Sequence, residues 1–407
     1  MSAAETAPTD IFLSEEFQTD PADVVARVRR EDPVHYIREL DAWMVTRHED
    51  VRSLFTDSRV TNDRRAYANY SLPPEGTTAR WIAENGPFAA PPEQHARMRR
   101  LVSSALTPRA VKRMEQQVRD VVAQYAHPLR GRVGFVDLFE KFTEPVPNVV
   151  IGRIAGVPPN GTDELRWRTL GREAVRGVSP FLSPEERKRS EDAMTELCDY
   201  VRVLAAERRR RPEADLITDL VQTHDEDDQM TNDEIVLMVA GLVAAGTETT
   251  TIAATRGLRS LLLNKGEMRR LWRHPELMAN AVDELMRFDF GSMGMPRYAL
   301  EDFSFHGRDI KKGQLMLLSF IGAHRDPDVF PDPDKLDLGR DVKALTIFGH
   351  GPHYCLGANL ARQELACMYE AALEFLPWCS SLVEDAVKWT RFGMFSRIES
   401  LPVDFHE

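Results

Sequence analysis

One of the four cysteines, Cys355, stands in a short loop that could give its sulfur an unusual environment. The loop, FGHGPHYCLG from Phe348 to Gly357, contains three glycines, a proline and two histidines, and a helix-forming run follows it at once. Gly351 and Gly357 allow tight turns and a close approach of the backbone to the sulfur. Backbone N–H groups and a helix N-terminus favour the thiolate, so Cys355 is a candidate axial ligand of a haem iron. The alternative is a buried structural thiol, which needs none of these neighbours.

A second group of candidate residues lies in AAGTETTT, from Ala244 to Thr251, within a long apolar stretch of helical period. A glycine inside a helix costs about 1 kcal/mol relative to alanine, so Gly246 indicates a local need for space. A gap beside Gly246 would admit a diatomic ligand, and Glu248 and Thr249 lie next to it. Threonine hydroxyls also compete for backbone carbonyls and help to open a kink. Ordinary helix packing is the alternative for this segment taken alone.

An acid and a base three residues apart, Glu284 and Arg287, end another predicted helix. Such pairs are usually surface ion pairs worth about 0.2–0.5 kcal/mol. Only this pair lies at a helix end that a predicted strand follows, ahead of the cysteine loop. The spacing alone is weak evidence, because the chain has six such pairs: Glu49/Arg52, Glu173/Arg176, Glu186/Arg189, Glu207/Arg210, Glu267/Arg270 and Glu284/Arg287.

Four further side chains could together bind an anion. His95 and Arg99 are four residues apart, so they share one face of the helix that PEQHARMRR predicts. Arg297 lies in MPRYAL, and His353 lies in the cysteine loop. Each alone is also consistent with a surface charge or a hydrogen-bonded core histidine, and only their combination favours a carboxylate ligand.

Length and composition are those of an ordinary globular chain. It has 407 residues, 43% of them hydrophobic and 29% charged, which is enough for a large core. The net charge of −12 argues against nucleic acid as a partner. Cys198, Cys355, Cys367 and Cys379 form neither a disulfide framework nor a CxxC metal motif, which favours a reducing cytosol. We expect no signal peptide, membrane anchor or 18-residue apolar stretch.

Helical patterns dominate the chain and position the candidate residues. We expect a loose tail over residues 1–20 and a single domain over residues 21–407. Residues 62–92 are predicted to form a loop, because SLPPEG and FAAPPEQ interrupt them. The longest helix is predicted from Asn232 to about Asn264, and a last long helix from Ala358 to Phe375.

The pattern F-x-x-G-x-H-x-C-x-G, from Phe348 to Gly357, resembles the haem-binding loop of the cytochrome P450 family of haem-thiolate monooxygenases. A-G-x-E-T, from Ala245 to Thr249, resembles the acid–alcohol pair of that family. Glu284-x-x-Arg287 resembles its buried ion pair, and His95-x-x-x-Arg99 is similar to its propionate-binding motif. The resemblance extends over most of the chain and is densest after Asn232.

The resemblance implies haem b (iron protoporphyrin IX) as the cofactor, with Cys355 as the axial thiolate ligand. Thr249 would hold dioxygen, and Glu248 would relay protons for cleavage of the O–O bond. The reaction would be hydroxylation or epoxidation by a monooxygenase. The other cofactor contacts that the resemblance implies are Phe348, Gly351, Gly357, Ala245 and Gly246, with His95, Arg99, Arg297 and His353 at the propionates.

The family also implies a scaffold. Its fold is a single triangular domain, mainly α (α+β), with about a dozen helices, small peripheral sheets and a long central helix. In it the buried pair, here Glu284 and Arg287, is linked to the irregular segment before the cysteine loop. The family often has an arginine there at the position of Lys335, and Arg340 is the alternative cation in this chain.

The resemblance further places an apolar, methionine-rich pocket around the cofactor, which favours an apolar substrate of terpenoid or steroid size. A fatty acid would need an arginine to bind its carboxylate, and Arg297 is expected at a propionate. Each residue expected to line this pocket is equally consistent with ordinary core packing. These residues are Trp81, Phe88, Phe181, Val243, Ala244, Ser292, Met293, Met295, Met394 and Phe395.

Electrons would come from a separate ferredoxin or flavodoxin and its reductase. The expected docking face carries Arg97, Arg100, Lys112, Arg113 and Arg362, which are equally consistent with an ordinary solvated face. We expect a cytoplasmic monomer of the soluble bacterial type. Two alternatives remain: a peroxide-driven fatty-acid hydroxylase and a non-enzymatic haem-thiolate gas sensor. Neither needs the Glu248–Thr249 pair.

Overall fold

Helices make up most of the described chain, in agreement with the predicted mainly α class. The computed structural model describes residues 10–14, 17, 21–87, 90–159, 162–178, 182–225, 228–376, 378, 380–392 and 395–406. The α-helices are α1 (Pro21–Glu31), α2 (His48–Leu54), α3 (Thr78–Asn85), α4 (Pro92–Ser103), α5 (Pro108–Ala126), α6 (Pro145–Ala155), α7 (Thr162–Val175), α8 (Pro184–Arg210), α9 (Leu216–Gln222), α10 (Asn232–Leu263), α11 (Lys265–Arg273), α12 (Met278–Phe288), α13 (Phe320–His324) and α14 (Ala358–Phe375).

The strands are short and form small sheets. They are β1 (Val34–Ile37), β2 (Ala42–Val45), β3 (Val60–Thr61), β4 (Gly134–Asp137), β5 (His224–Asp225), β6 (Asp228–Gln229), β7 (Met295–Ala299), β8 (Phe303–Phe305), β9 (Arg308–Ile310), β10 (Leu315–Leu318), β11 (Ser381–Leu382), β12 (Lys388–Phe392), β13 (Phe395–Ser400) and β14 (Pro402–Phe405).

The chain divides into two compact units. Unit 1 comprises Met1–Ser71, Ser292–Leu336 and Asp341–Pro352. It is built on a five-stranded sheet in the order β1-β2-β10-β7-β3. Strands β2 and β10 pair in parallel, with Val45 opposite Leu318, whereas the other neighbours pair antiparallel. Both of these side chains are fully buried, so the core of unit 1 lies against this sheet.

Unit 2 comprises Leu72–Gly291, Asp337–Arg340 and His353–Glu407, and it is organised around α10. This helix packs against α6, α7, α8 and α14. The fully buried Tyr369 of α14 donates its hydroxyl to the carbonyl of Ala253, at 2.9 Å. A Cβ at Gly257 would collide with that hydroxyl, so glycine permits the crossing of α10 and α14.

The sequence explains both where the helix α10 begins and why it is buried. Thr231 caps it, and Glu234 completes a capping box by accepting from the Thr231 N–H. Residues 235–240 are all buried, because this segment is apolar on every face. The prediction of a helix from Asn232 to about Asn264 is confirmed to within one residue.

Some predictions need correction. The segment 62–92 contains the helix α3, which the prolines on both sides obscured, and Thr77 caps it. Within the expected tail, residues 11–13 form a 3-10 turn whose Phe12 is fully buried. The expectation of no 18-residue apolar stretch is wrong. A window of α10 has a mean hydropathy of 1.6, and 67% of it is buried within the protein, as in a core helix.

Candidate active site

The cysteine loop crosses from unit 1 into unit 2. Gly349 and Gly351 have φ values of 74° and 73°, where only glycine is free of strain. In unit 1, a Cβ at Gly351 would lie 2.6 Å from Cγ2 of Thr56, so a larger residue does not fit without movement. The chain then makes a 3-10 turn (Gly351–His353), and Gly357 precedes the first residue of α14. The predicted order of loop, cysteine and helix is confirmed.

The thiol of Cys355 lies at the surface of the protein chain, close to groups that stabilise a negative charge. The Gly357 N–H is hydrogen-bonded to it, and Arg99 and Arg362 are near enough to act on it electrostatically. Surrounding protein atoms still desolvate the sulfur, and this larger effect raises its pKa. The surroundings of the loop therefore oppose ionisation of the free thiol, while the donors and cations are in place to hold a ligated thiolate.

A cluster of nitrogen groups lies beside the thiol in unit 2. The rings of His95 and His353 are 4.0 Å apart between centroids. Arg99 donates to the carbonyl of Tyr354 at 2.5 Å, which ties α4 to the cysteine loop. Burial, and then the charge of Arg99, lower the pKa of His95. The spacing His95-x-x-x-Arg99 therefore does bring both side chains to the loop, as predicted.

Arg297 lies in unit 1, on β7, with 5% of its surface exposed. Its guanidinium carbon is 4.9 Å from the centre of the Phe55 ring, and it donates to the carbonyl of Pro296. Burial lowers its pKa to about 10. No carboxylate of the described residues forms an ion pair with Arg297. A buried cation normally has an anionic partner, so Arg297 fits an anion supplied by a bound group.

The helix α10 has one open side. Ala245 is the only exposed residue between Ile235 and Leu262, all of which the structure describes. Gly246 and Thr249 are partly exposed beside it, and a Cβ at Gly246 would meet no atom within 4 Å. Thr249 donates its hydroxyl to the carbonyl of Ala245 at 2.6 Å, which is the competition for backbone carbonyls expected of this segment.

Glu248 lies off this open side and is buried. Nη1 of Arg397, on β13, donates to Oε2 of Glu248 at 3.2 Å and lies 3.1 Å from Oε1. Oε1 itself makes no hydrogen bond. Burial raises the pKa of Glu248, and Arg397 opposes that shift. The site therefore holds a carboxyl group whose affinity for a proton is above normal, one residue from an accessible hydroxyl.

The comparisons with known proteins agree with this arrangement. The family model "Cytochrome P450" matches residues 35–379. The chain belongs to the cytochrome P450 family. It is 30% identical to the polyketide biosynthesis P450 PksS of Bacillus subtilis over 95% of this chain and 96% of that one, and the PksS structure has a TM-score of 0.86.

Two other relatives are named for their activities. The epothilone C/D epoxidase of Sorangium cellulosum is 33% identical over 89% of this P450 and 87% of its own length, and a vitamin D(3) 25-hydroxylase of Pseudonocardia autotrophica is 33% identical over 89% and 88%. The epothilone B-bound P450epoK structure has a TM-score of 0.88 at 30% identity, covering 97% of this chain and 98% of that one. This protein is thus a P450 monooxygenase with the P450 fold, of a family that binds haem b through a cysteine thiolate.

The buried ion pair of this P450 is more extensive than the sequence indicates. Glu284 and Arg287 have fully buried side chains joined by two hydrogen bonds, of 2.6 and 3.0 Å. Glu284 also accepts from the Asp337 N–H at 3.1 Å and from Nε of Arg340 at 3.2 Å. Arg340, the alternative to Lys335, therefore supplies the third member. Asn280 of the same helix donates to the carbonyls of Leu338 and Arg340.

The residues expected to line the substrate pocket are distributed over both units. In unit 2, Ala244 is partly exposed, whereas Val243 is buried and faces Gly171 of α7. Phe395 packs its ring on Phe290 at 5.9 Å. Trp81 of α3 lies 5.1 Å from the guanidinium of Arg202 and borders a small polar cleft.

In unit 1, Ser292 is buried, Met293 is partly buried, and Met295 is 37% exposed. Phe88, Phe181 and Met394 lie outside the described residues. That the remaining residues line one substrate pocket therefore stays a prediction.

Sequence reasoning missed Arg397. Its segment, FSRIES, forms β13, in which Arg397 and Ile398 are buried. A lone arginine in a half-buried strand is a usable signal, because a buried cation needs an acidic partner. No spacing rule links a strand near the C-terminus to residue 248, so the partner could not be chosen from the sequence.

Proposed function

We propose that this P450 inserts one oxygen atom from O2 into a large, mostly apolar small molecule, with Cys355 as the axial ligand of haem b. The observation that supports this most directly is the thiol at the protein surface, beside the Gly357 N–H, Arg99 and Arg362. When bound, the cofactor supplies oxygen activation, since a thiolate ligand favours cleavage of the O–O bond. Gly349 and Gly351 give the loop its shape.

The anion-binding residues would hold the two propionates of the cofactor. His95, Arg99 and His353 form one cluster in unit 2. Arg297 is a buried cation that forms no ion pair with a described carboxylate. A propionate would give each of these groups the charge partner that burial demands.

The open side of α10 supports the proposed roles of Thr249 and Glu248. Ala245 and Gly246 leave room for dioxygen, and the Thr249 hydroxyl lies one turn further along the same helix. Glu248 takes up a proton from the interior and passes it to the Thr249 side. Its raised pKa matches that task, because a general acid works best when its pKa is near the working pH.

The substrate class follows from size and polarity. Ala244, Ala245 and Gly246 are small, so a bulky molecule fits against α10. The named relatives act on epothilones and vitamin D(3), and PksS is named for polyketide biosynthesis. We therefore place terpenoids and steroid-like molecules first and macrolide polyketides second, with hydroxylation or epoxidation as the reaction.

Electrons would come from a ferredoxin or flavodoxin with its reductase. Several of the basic residues expected to dock it are paired within the chain: Arg97 with Glu234, Lys112 with Glu115 and Arg362 with Asp283. Arg100, Arg109 and Arg113 are exposed and would contribute to the docking surface. The enzyme would act as a cytoplasmic monomer.

The deciding experiment is the absorption spectrum of the reduced protein under carbon monoxide, for the wild type and for Cys355→Ser. A strongly red-shifted Soret band in the wild type, lost in the variant, supports thiolate ligation by Cys355. A band typical of a neutral ligand in the wild type would refute it.

Thr249→Ala should retain the band but divert reductant into hydrogen peroxide. Unchanged product per reductant in Thr249→Ala would refute the proposed role of Thr249 in oxygen activation.

A further inference from the structure

The short helix α11 carries a large aromatic side chain on its outer face. Trp272 is 55% exposed, and its ring packs edge-on against Trp378, with 5.3 Å between the ring centres. Neither indole N–H donates a hydrogen bond to a described residue. Tryptophan combines an apolar ring with a polar N–H, so it is enriched where a protein meets a boundary that is apolar on one side and wet on the other.

Three basic side chains share the outer face of α11 with Trp272. Lys265, Arg269 and Arg273 are spaced four residues apart, and Arg269 lies three residues before Trp272, so all four project from neighbouring turns of one helix face. Arg269 and Arg273 are exposed, and no carboxylate of the described residues forms an ion pair with either of them. These four residues and Trp378 form the α11 patch.

The inner side of α11 holds the patch in place. Met268 and Leu271 are buried. Arg270 donates to Asp337 at 2.7 Å, and Lys265 donates to the carbonyl of Ser380 at 2.7 Å. The helix cannot turn its outer face inward without breaking these contacts, so the exposure of the patch is a property of the fold.

The charge around the patch is opposite in sign to that of the whole chain. Residues 265–276 contain four basic and two acidic side chains, whereas the chain carries a net charge of −12. Both acids are already engaged, Glu267 with Arg270 and Glu276 with His274. Exposed charges act over about 10 Å at ordinary salt. A body that approaches α11 therefore meets positive charge, and an anionic surface complements it.

The small size of the patch favours a lipid surface over a protein as its partner. A stable protein–protein interface buries about 800 Å² on each partner, which is more than one face of a nine-residue helix and a neighbouring ring can provide. A bilayer needs no matching shape. Tryptophan rings enter its headgroup layer singly, and each Lys or Arg near an anionic leaflet strengthens binding by a factor of about 5.

We propose that the α11 patch binds reversibly to the surface of a bilayer that contains anionic lipids. The two tryptophan rings enter the headgroup layer, and the three cations contact lipid phosphates. The contact is peripheral and involves no membrane-spanning helix, so the enzyme remains a cytoplasmic protein. Its benefit rests on the proposed function, because a large apolar substrate concentrates in bilayers and docking brings the enzyme to it.

The test is co-sedimentation of the haem-loaded protein with large vesicles at low salt. Vesicles of phosphatidylcholine alone are compared with vesicles of equimolar phosphatidylcholine and phosphatidylglycerol. The protein should bind the anionic vesicles much more tightly, and this binding should weaken as salt is added. Equal binding to both kinds of vesicle, or binding to neither, would overturn the proposal.

Two sets of variants separate the apolar and the charged parts of the patch. Trp272→Ala should weaken binding to the anionic vesicles by about tenfold. Arg269→Gln/Arg273→Gln should weaken it by about 30-fold, since each cation contributes a factor of about 5. Arg269→Lys/Arg273→Lys keeps the charge and should bind like the wild type. Unchanged binding in either of the first two variants would refute the role of α11.

The matched controls make the same changes elsewhere in the chain. Trp389→Ala replaces another tryptophan, which is 45% exposed on β12. Arg187→Gln/Arg189→Gln removes two exposed arginines of α8 that form no ion pair with a described residue. Both controls should bind like the wild type. A loss in the arginine control equal to that in Arg269→Gln/Arg273→Gln would show that the vesicles sense net charge alone, which contradicts the proposal.

Two further measurements cover the other possible occupants of the patch. A concentration-dependent dimer in sedimentation velocity that Trp272→Ala abolishes would assign the patch to a second copy of the chain. Slower reduction by ferredoxin in Trp272→Ala, with vesicle binding intact, would assign it to an acidic protein. The thiolate-type carbon monoxide spectrum shows that each variant is folded. Its absence from the wild type refutes the proposed function, whereas its presence without vesicle binding refutes only the role of the α11 patch.

Discussion

Two glutamate–arginine pairs lie inside unit 2, and their carboxylates are satisfied to different degrees. Glu284 accepts four hydrogen bonds, two from Arg287 and one each from the Asp337 N–H and Arg340. Glu248 accepts one, from Arg397, and its Oε1 accepts none. Both carboxylates are buried, so burial alone does not distinguish them.

The difference distinguishes a structural carboxylate, Glu284, from the proposed proton-relay carboxylate, Glu248. An ionised carboxylate has about four acceptor sites, and Glu284 accepts four hydrogen bonds, three at Oε1 and one at Oε2. Any movement of Glu284 would break several charge-assisted hydrogen bonds at once. Glu248 has unused acceptor capacity and a neighbour, Thr249, on the open side of α10. It can therefore change partners at much lower cost, which a relay requires and a structural tie does not.

The largest expected effect is a loss of stability when the Glu284–Arg287 pair is broken. Arg287→Met removes two of the four donors and leaves Glu284 buried without its main cation, which should lower the free energy of unfolding by about 3–5 kcal/mol. Urea denaturation of the purified protein measures this loss. Arg397→Met should cost less, because Glu248 can take up a proton or turn toward the open side. Equal losses for the two variants would contradict the proposed difference between the pairs.

The second prediction concerns catalytic activity, for which the Glu248 pair should matter more than the Glu284 pair. Glu248→Gln keeps the shape of the side chain but cannot relay protons, so product formation should fall by roughly 100-fold, with little change in the free energy of unfolding. Glu284→Gln should instead destabilise the protein while the folded fraction keeps its product-to-reductant ratio. Stopped assays at saturating substrate, normalised to the carbon monoxide spectrum, compare them. A Glu284→Gln enzyme that folds stably but has lost coupling would show that our assignment of roles is wrong.

The sequence predicts the scaffold of this site well and the partners of its charges poorly. The cysteine loop, the start of α10 and the helix after Cys355 are encoded locally, by glycines, a capping box and helical periodicity. The i, i+4 spacing of His95 and Arg99 likewise brings both to the loop. Such features depend on a few neighbouring residues, so a sequence reading can find them.

Long-range ion pairs have no such local signature. The Glu248–Arg397 contact joins residues 149 positions apart, and the choice of Arg340 for Glu284 depends on the path of an irregular segment. The helix α3 was missed because prolines flank it, although Thr77 provides its cap. For the two ion pairs the deciding interaction comes from tertiary packing, which supplements the local pattern, whereas the cap of α3 is a local interaction.

The third prediction uses pH to compare Glu248, which is paired with Arg397, with Glu364, a buried acid whose Oε1 makes no hydrogen bond to any described residue. Burial raises the pKa of Glu248, and it raises that of Glu364, on α14, to about 8. Between the ordinary value of 4.5 and the folded value, the folded protein binds more protons than the unfolded chain, so the free energy of unfolding should fall as pH rises. Urea denaturation at a series of pH values measures this slope.

Single and double glutamine variants separate the two contributions to that slope. Glu364→Gln should remove the part that extends to about pH 8, and Glu248→Gln should remove part of the remainder. A wild-type slope of the opposite sign over this range would mean that these acids are ionised in the folded protein.

The smallest expected effect tests how complete the saturation of Glu284 must be. Arg340→Ala removes one of the four donors while Arg287 stays in place, so the free energy of unfolding should fall by only about 1 kcal/mol. Arg340→Lys keeps the charge without the Nε–H geometry and should lie between this variant and the wild type. Lys335→Met is the matched control, because the sequence offered Lys335 as the alternative cation. An equal loss of unfolding free energy in Lys335→Met and Arg340→Ala would show that both cations serve as the third member beside Glu284 and Arg287. A loss in Arg340→Ala as large as that in Arg287→Met would show that Glu284 needs every one of its donors. A carboxylate with few donors, as at Glu248, would then be the exceptional state.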